Sequence, residues 1–164
     1  EAWHRMLFTP APVFRDLVTT AEAGPAEWRY TLDPPPAEWD KPGFDDQAWK
    51  RGPGGFGTQG TPGTTIRTEW NTKEIWMRRT VTLDKIPAGN LFFRIHHDED
   101  AEIFVNGVLA ATVQGYVTEY VEVPMLPAAK VALKEGENLV SVHCRQTGGG
   151  QSIDVGIVEQ VPAE

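Results

Sequence analysis

From Leu91 onward, apolar residues fall on every second position. Leu91, Phe93 and Ile95 alternate with Phe92, Arg94 and His96, and Ala101, Ile103 and Val105 then alternate with Glu102 and Phe104. A period of two marks a strand with one buried and one wet face. Asn106-Gly107, two residues that tolerate positive φ, turns the second run back through Val108-Leu109-Ala110-Ala111 as a β-hairpin. Between the two runs lies a charged bend, His96-His97-Asp98-Glu99-Asp100. Trp28–Leu32, Ile75–Leu83, Val117–Val123, Leu139–Gln146 and Gln151–Val158 have strand composition too, with Ile153, Val155 and Ile157 facing inward. Pro34-Pro35-Pro36, Pro87, Pro124 and Pro127 interrupt the chain between them, since proline cannot donate to a sheet ladder. No stretch has the period of a helix long enough for a βαβ crossover. About eight strands in an all-β, two-sheet antiparallel sandwich of jelly-roll type is the economical fold.

The joints between strands differ in kind. Residues 52 to 65 form a long glycine-rich loop and Thr147-Gly148-Gly149-Gly150 a second one. Neither carries the Gly-Lys-Ser/Thr ending or the Gly-x-Gly-x-x-Gly spacing of a phosphate cradle. In Phe44-Asp45-Asp46-Gln47-Ala48-Trp49 the two acids cap a short helical turn, and Phe44 and Trp49 are expected to face inward. Residues 1 to 26, with Trp3, Leu7, Phe8 and the prolines 10 and 12, read as a lead-in with one edge strand. Residues 27 to 160 read as the sandwich and 161 to 164 as a tail. The chain begins at Glu1 and not at Met, which suggests a mature or excised portion of something longer.

A length of 164 residues suits one domain with a sizeable core. The net charge of −8 disfavours nucleic acid and anionic membranes as partners, because counterion release needs clustered Lys and Arg. No apolar run approaches the ~20 residues needed to span a bilayer. The one cysteine, Cys144, shares the apolar side of its strand with Val140 and Val142 and reads as a buried structural thiol.

Four motifs occur in order: Phe44-Asp45-Asp46-Gln47-Ala48-Trp49, Ile75-Trp76-Met77-Arg78-Arg79, Ala101-Glu102-Ile103-Phe104-Val105-Asn106-Gly107, and Leu133-Lys134-Glu135-Gly136-Glu137-Asn138-Leu139. Each alone is strand-and-turn grammar. Together, over residues 27 to 160, the series resembles the galactose-binding-like jelly-roll domain that accompanies glycoside hydrolase family 2 enzymes such as β-galactosidases and β-glucuronidases. The resemblance implies a non-catalytic module of a larger, extracytoplasmic carbohydrate-active enzyme. Its implied partners are an oligo- or polysaccharide and the catalytic domain of the same parent chain. The catalytic glutamates of such enzymes lie on a separate barrel, for which this chain has no room. The charged bend and the elaborate glycine loops depart from the usual pattern.

Sugar binding asks for an aromatic platform and planar polar groups. Trp70 and Tyr116 are loop aromatics, and Arg145, Gln146 and Gln151 flank the triple-glycine loop. With His97, Asp98 and Asp100 from the bend they make the expected ligand-binding set. The structural alternatives are a core tryptophan at 70 and an Arg145 ion pair with Glu102 or Asp154. Arg78 and Arg94 are expected to point outward into surface pairs. A catalytic pair at Asp98 and Asp100 would need carboxyls roughly 5 to 10 Å apart across a cleft, and a strand-capping bend is the simpler account. A transition-metal site could draw on His96 or His97 with Asp98, Asp100 and His143. Adjacent histidines on an extended chain face opposite ways, however. The resemblance also suggests a structural calcium, for which Asp16, Asp45, Asp46, Asp98 and Asp100 are the loop carboxylates. The alternative functions are a structural accessory domain without its own ligand and, less favoured, a small metal-dependent hydrolase.

Overall fold

A computed structural model describes residues 12–161. Trp3, Leu7 and Phe8 of the lead-in and the last three residues of the tail lie outside the described residues. Two six-stranded sheets pack face to face. The first holds β1 (Val13–Val18), β4 (Phe56–Gly57), β5 (Thr68–Glu69), β7 (Asn90–Asp98), β10 (Val121–Pro124) and β12 (Ser152–Val161), in the order β10-β7-β12-β4-β5. β1 shares with β4 the free edge of β12: it pairs from Val161 to Ile157, and β4 pairs at Ser152 and Ile153. The second sheet runs β3 (Lys50–Pro53), β2 (Glu27–Thr31), β6 (Glu74–Leu83), β11 (Gly136–Arg145), β8 (Asp100–Val105), β9 (Val108–Val113). All pairs are antiparallel except β4 with β5.

The core lies where the alternation puts it. Phe93 and Ile95 of β7 stand opposite Ile157 and Val155 of β12, and across the sandwich stand Met77, Ile103 and Val142, all in one buried apolar cluster. Cys144 is fully buried there, and burial pushes its thiol well above the usual range.

Among the described residues twelve strands replace the expected eight, chiefly because of three short ones: β4 lies inside the segment 52 to 65 that read as glycine-rich loop, β3 overlaps its start and β5 follows its end. The edge strand of the lead-in is β1. The strand expected over Val117–Val123 shrinks to Val121–Pro124, since Tyr116 bridges to Asp98 and the Val117 amide donates to the His97 carbonyl. A short α-helix, Pro127–Ala132, was not foreseen. Pro127 occupies its first turn, where the missing N–H has no partner to lose.

The turn at 45 to 49 forms, with Asp45 accepting from the Gln47 amide at 3.0 Å and the Trp49 amide donating to the Asp46 carbonyl at 3.0 Å. The inward expectation for Phe44 and Trp49 is corrected. They pack edge to face at 5.7 Å, and Phe44 lies under the outward-pointing Arg78. Arg78 is itself only 4% exposed, because it binds Asp46 and the carbonyls of Trp39, Lys41 and Phe44. Residues 39 to 46 thus lie clamped over the outer face of the second sheet.

Only Glu99 separates the end of β7 from the start of β8. The charged bend is therefore the corner at which the chain passes from one sheet to the other.

Candidate functional site: a sandwich end and a cleft on the first sheet

Sheet register gathers most of the expected residues at one end of the sandwich. Arg145 stands opposite Asp100, Ser152 opposite Asp98, and Tyr116 bridges to Asp98. Most of their polar atoms are engaged with neighbouring backbone and side-chain groups. Nδ1 of His97 lies 2.9 Å from the carbonyls of both Glu99 and Gly115, and Asp100 accepts from the Gly115 amide at 2.7 Å. Glu99 accepts from the amides of Thr147 and Gly148, which seats the triple-glycine loop. Arg145 forms a two-point pair with Glu102 at 2.6 and 3.1 Å, and that hydrogen bonding holds its pKa above the ordinary value. Gln146 donates to the Gly149 carbonyl at 3.1 Å, while its Oε1 is buried without a partner. Gln151 is buried and donates to the Thr72 carbonyl at 2.6 Å.

Trp70 is corrected to a core residue. It is 1% exposed and its Nε1 donates to the Glu74 carbonyl at 3.2 Å, so it has no face to offer a sugar. His97 and Gln151, both buried, are removed from direct contact for the same reason. Tyr116, 68% exposed, is the free aromatic ring at this end. Asp98 is buried there, and its carboxyl is pushed up to about 6 by burial first and the Glu99 charge second, with His97 opposing.

The histidines part company, as their alternation requires. His96 faces outward from the first sheet, His97 lies at the corner, and His143 sits on the second sheet stacked on Trp76 at 4.6 Å with Glu74 on its Nε2. Among the described residues no group of three or more His, Cys, Asp or Glu side chains is placed to hold a metal ion. The loop carboxylates weighed for calcium do not converge either: Asp46 binds Arg78, Asp45 caps its turn, and Asp100 holds the Gly115 amide.

A cleft of about 430 Å³ lies elsewhere, on the outer face of the first sheet. Its floor includes Val158 of β12; Phe14 and Asp16 of β1 stand on one side, and Arg94 of β7 with Glu122 of β10 on another. The segment after β1 supplies the remaining wall. This segment can cross β12 because residue 156 is glycine, where a Cβ would come within 2.5 Å of the Val18 carbonyl oxygen. Glu22, on that segment, accepts from Arg94 Nε at 2.9 Å and Nη2 at 3.2 Å, and Glu122 accepts from Nη1 at 2.7 Å. These contacts, Glu22 foremost, raise the Arg94 pKa. The guanidinium also stacks 5.3 Å from the centre of the Tyr120 ring.

Beneath the cleft a buried polar network ties the wall to the glycine-rich loop. Asp154 accepts from the Ala21 amide and from the Tyr120 hydroxyl, and burial pushes its carboxyl up to about 6. The Tyr120 pKa is raised in turn by burial and by Asp154. His96 Nε2 donates to the Pro62 carbonyl at 2.9 Å, leaving Nδ1 to accept from the Ser152 hydroxyl at 3.0 Å. Thr64 lies 3.0 Å from the same hydroxyl. A serine against a histidine has the outline of an activated nucleophile. Here His96 is 0% exposed and burial lowers its pKa, so no substrate reaches it.

Phe14, Glu22 and Glu122 were not among the expected site residues, and Arg94 was expected only as a surface pair. Glu22 is 72 residues from Arg94 in sequence, and no local pattern joins them. The one available signal was an arginine on the outward row of an otherwise apolar alternation.

No protein-family profile and no curated relative matches the chain. Solved structures do. A glycosyl hydrolase family 2 member from Bacteroides cellulosilyticus aligns at TM-score 0.57 and 19% identity, over 88% of this chain and 20% of its own. Bacteroides uniformis β-glucuronidase 2, solved with cyclophellitol-6-carboxylate aziridine, aligns at 0.57 and 19%, over 93% and 18%. Ruminococcus gnavus β-glucuronidase, in complex with uronic isofagomine, aligns at 0.56 and 11%, over 91% and 28%. Identity at this level speaks for the fold alone, and the chain spans about a fifth of the first of these structures. What the resemblance read from the four motifs establishes is thus a shared fold: the chain has the two-sheet sandwich that makes up a minor part of family 2 glycoside hydrolases.

Proposed function

We propose that this chain is a non-catalytic sandwich domain of a larger, extracytoplasmic glycoside hydrolase, and that it binds glycan in the cleft walled by Phe14, Glu22, Arg94 and Glu122. The observation that carries this reading is the cleft itself. Its volume, about 430 Å³, lies in the range of small-molecule sites. Phe14, 37% exposed, supplies an apolar edge for a pyranose, and carboxylates preset by Arg94 supply acceptors for hydroxyls. The fold match supports the parent enzyme, and Tyr116 supplies a second contact point at the sandwich end.

Calorimetric titration of the chain with neutral, amino-bearing and uronic oligosaccharides tests it. Binding to at least one class, weakened about fivefold or more by Phe14→Ala, is the expected result. Failure of every glycan to bind would move the function to the second reading, a structural domain that packs on its own catalytic domain. Val131, 85% exposed on the short helix, with Leu126 and Leu109 near it in the fold, favours that reading.

A further inference from the structure

The charges around the cleft are unbalanced. Among the described residues, Asp16, Glu22 and Glu122 face it against the single guanidinium of Arg94, on a chain whose net charge is −8. The guanidinium is also spent: Nε, Nη1 and Nη2 each already donate to a protein carboxylate. A ligand carboxylate or sulfate would therefore displace Glu22 or Glu122 from Arg94 while meeting Asp16 unshielded. Such like-charge juxtaposition is a strong rejecting element.

A ligand rich in donors has the opposite experience. Asp16 is exposed and in no ion pair among the described residues, and Arg94 engages Glu122 through one oxygen, Oε1. Thr20, on the same wall, already gives its hydroxyl proton to Glu22, so beside the exposed Thr19 hydroxyl the wall's side chains offer acceptors. Hydroxyls would satisfy such a surface, but a protonated amine does so with charge-assisted hydrogen bonds about twice as strong as neutral ones.

We infer that the cleft selects glycans bearing free amino groups, with protonated amines set against Asp16 on one side and Glu122 on the other and the apolar face of the sugar against Phe14. This rests on the glycan-binding reading above and narrows it to a cationic ligand class.

The test is a titration of the full 164-residue chain with a glucosamine tetramer, its fully N-acetylated counterpart, a galacturonic acid tetramer and a lysine tetramer. The glucosamine tetramer should bind about tenfold or more tighter than the acetylated one, and the uronic tetramer should not bind. Asp16→Asn, at an exposed position that leaves the fold intact, should remove most of that preference, and D16N combined with E122Q should abolish it. High salt should weaken the preference, since the cleft is open to solvent. Equal or tighter binding of the acetylated or uronic tetramer would overturn the ligand class while leaving glycan binding in place. Equal binding of the lysine tetramer would overturn it too, by showing that the cleft reads charge without sugar. Binding by none of the saccharides would overturn both readings, and a preference lost in Tyr116→Ala but kept in D16N would move the site to the sandwich end.

Discussion

Asp98 was singled out as a ligand contact, and its environment gives it a different measurable property. It is 6% exposed, beside Glu99 and under the triple-glycine loop, where a Cβ on Gly150 would come within 2.9 Å of its Oδ2. A carboxyl held at about 6 when folded and near 3.9 when unfolded binds its proton more tightly in the native state. Its contribution is therefore most favourable below about pH 4, declines as pH rises toward 6, and is a constant penalty above that. Two units correspond to about 3 kcal/mol at the upper limit. Asp98→Asn removes the charge and keeps the shape. The variant is expected to melt several degrees higher than the parent at pH 7.5, with a flatter Tm profile between pH 4 and 6. An unchanged Tm at pH 7.5 would show that the ionised carboxylate is already compensated. The presence of a carboxylate at this corner was plain in the sequence. That it would be buried was not, because burial comes from loops 61 and 150, far from it in the chain.

At the scale of elements, the regular strands were legible and their coverings were not. β7, β8, β11 and β12 stand within a few residues of where their alternation put them, since a period of two fixes which face is buried. The segment over the second sheet was misread because Phe44 and Trp49 looked like core. They lie half-buried on an outer face instead, Phe44 under Arg78 and Trp49 against Phe44, and the four partners of Arg78 come from Trp39, Lys41, Phe44 and Asp46. An outward arginine on a central strand reads as a surface residue until the segment that covers it is known. Replacing Arg78 with Met leaves Asp46 and three carbonyls without their shared donor. The expected cost is about 3 kcal/mol, from the unpaired groups left behind. The loss should be local: amide exchange around Lys41, Phe44 and Trp49 should accelerate by an order of magnitude or more while the amides of β6 and β11 stay protected. Uniform acceleration across both sheets would show that the segment is part of the cooperative core and not a clamped cover.

For the whole molecule, the deciding feature is that the first described strand closes against the last. Val13 stands opposite Val161 and Val18 opposite Ile157, so β1 covers the part of the β12 edge that β4 does not reach. Reading residues 1 to 26 as a lead-in with one edge strand and 27 to 160 as the sandwich puts β1 and β12 in separate segments, and the sheet joins them. The two descriptions predict different outcomes for a chain lacking residues 1 to 18. If that segment is only a lead-in, the shortened chain keeps its Tm and stays monomeric. The register argues otherwise. Removing β1 strips the ladder partners from Ile157 to Val161 and takes away Phe14 and Asp16, one wall of the cleft. The core pairs β6 with β11 and β7 with β12 survive, so far-UV circular dichroism should still report a β-rich fold. The bared edge of β12 is then an open template for a second copy, and size-exclusion chromatography should show concentration-dependent association absent from the full chain. Glycan binding should be lost with the wall. A truncated chain that remains monomeric, melts where the parent melts and still binds would assign β1 no part in either the sheet or the site.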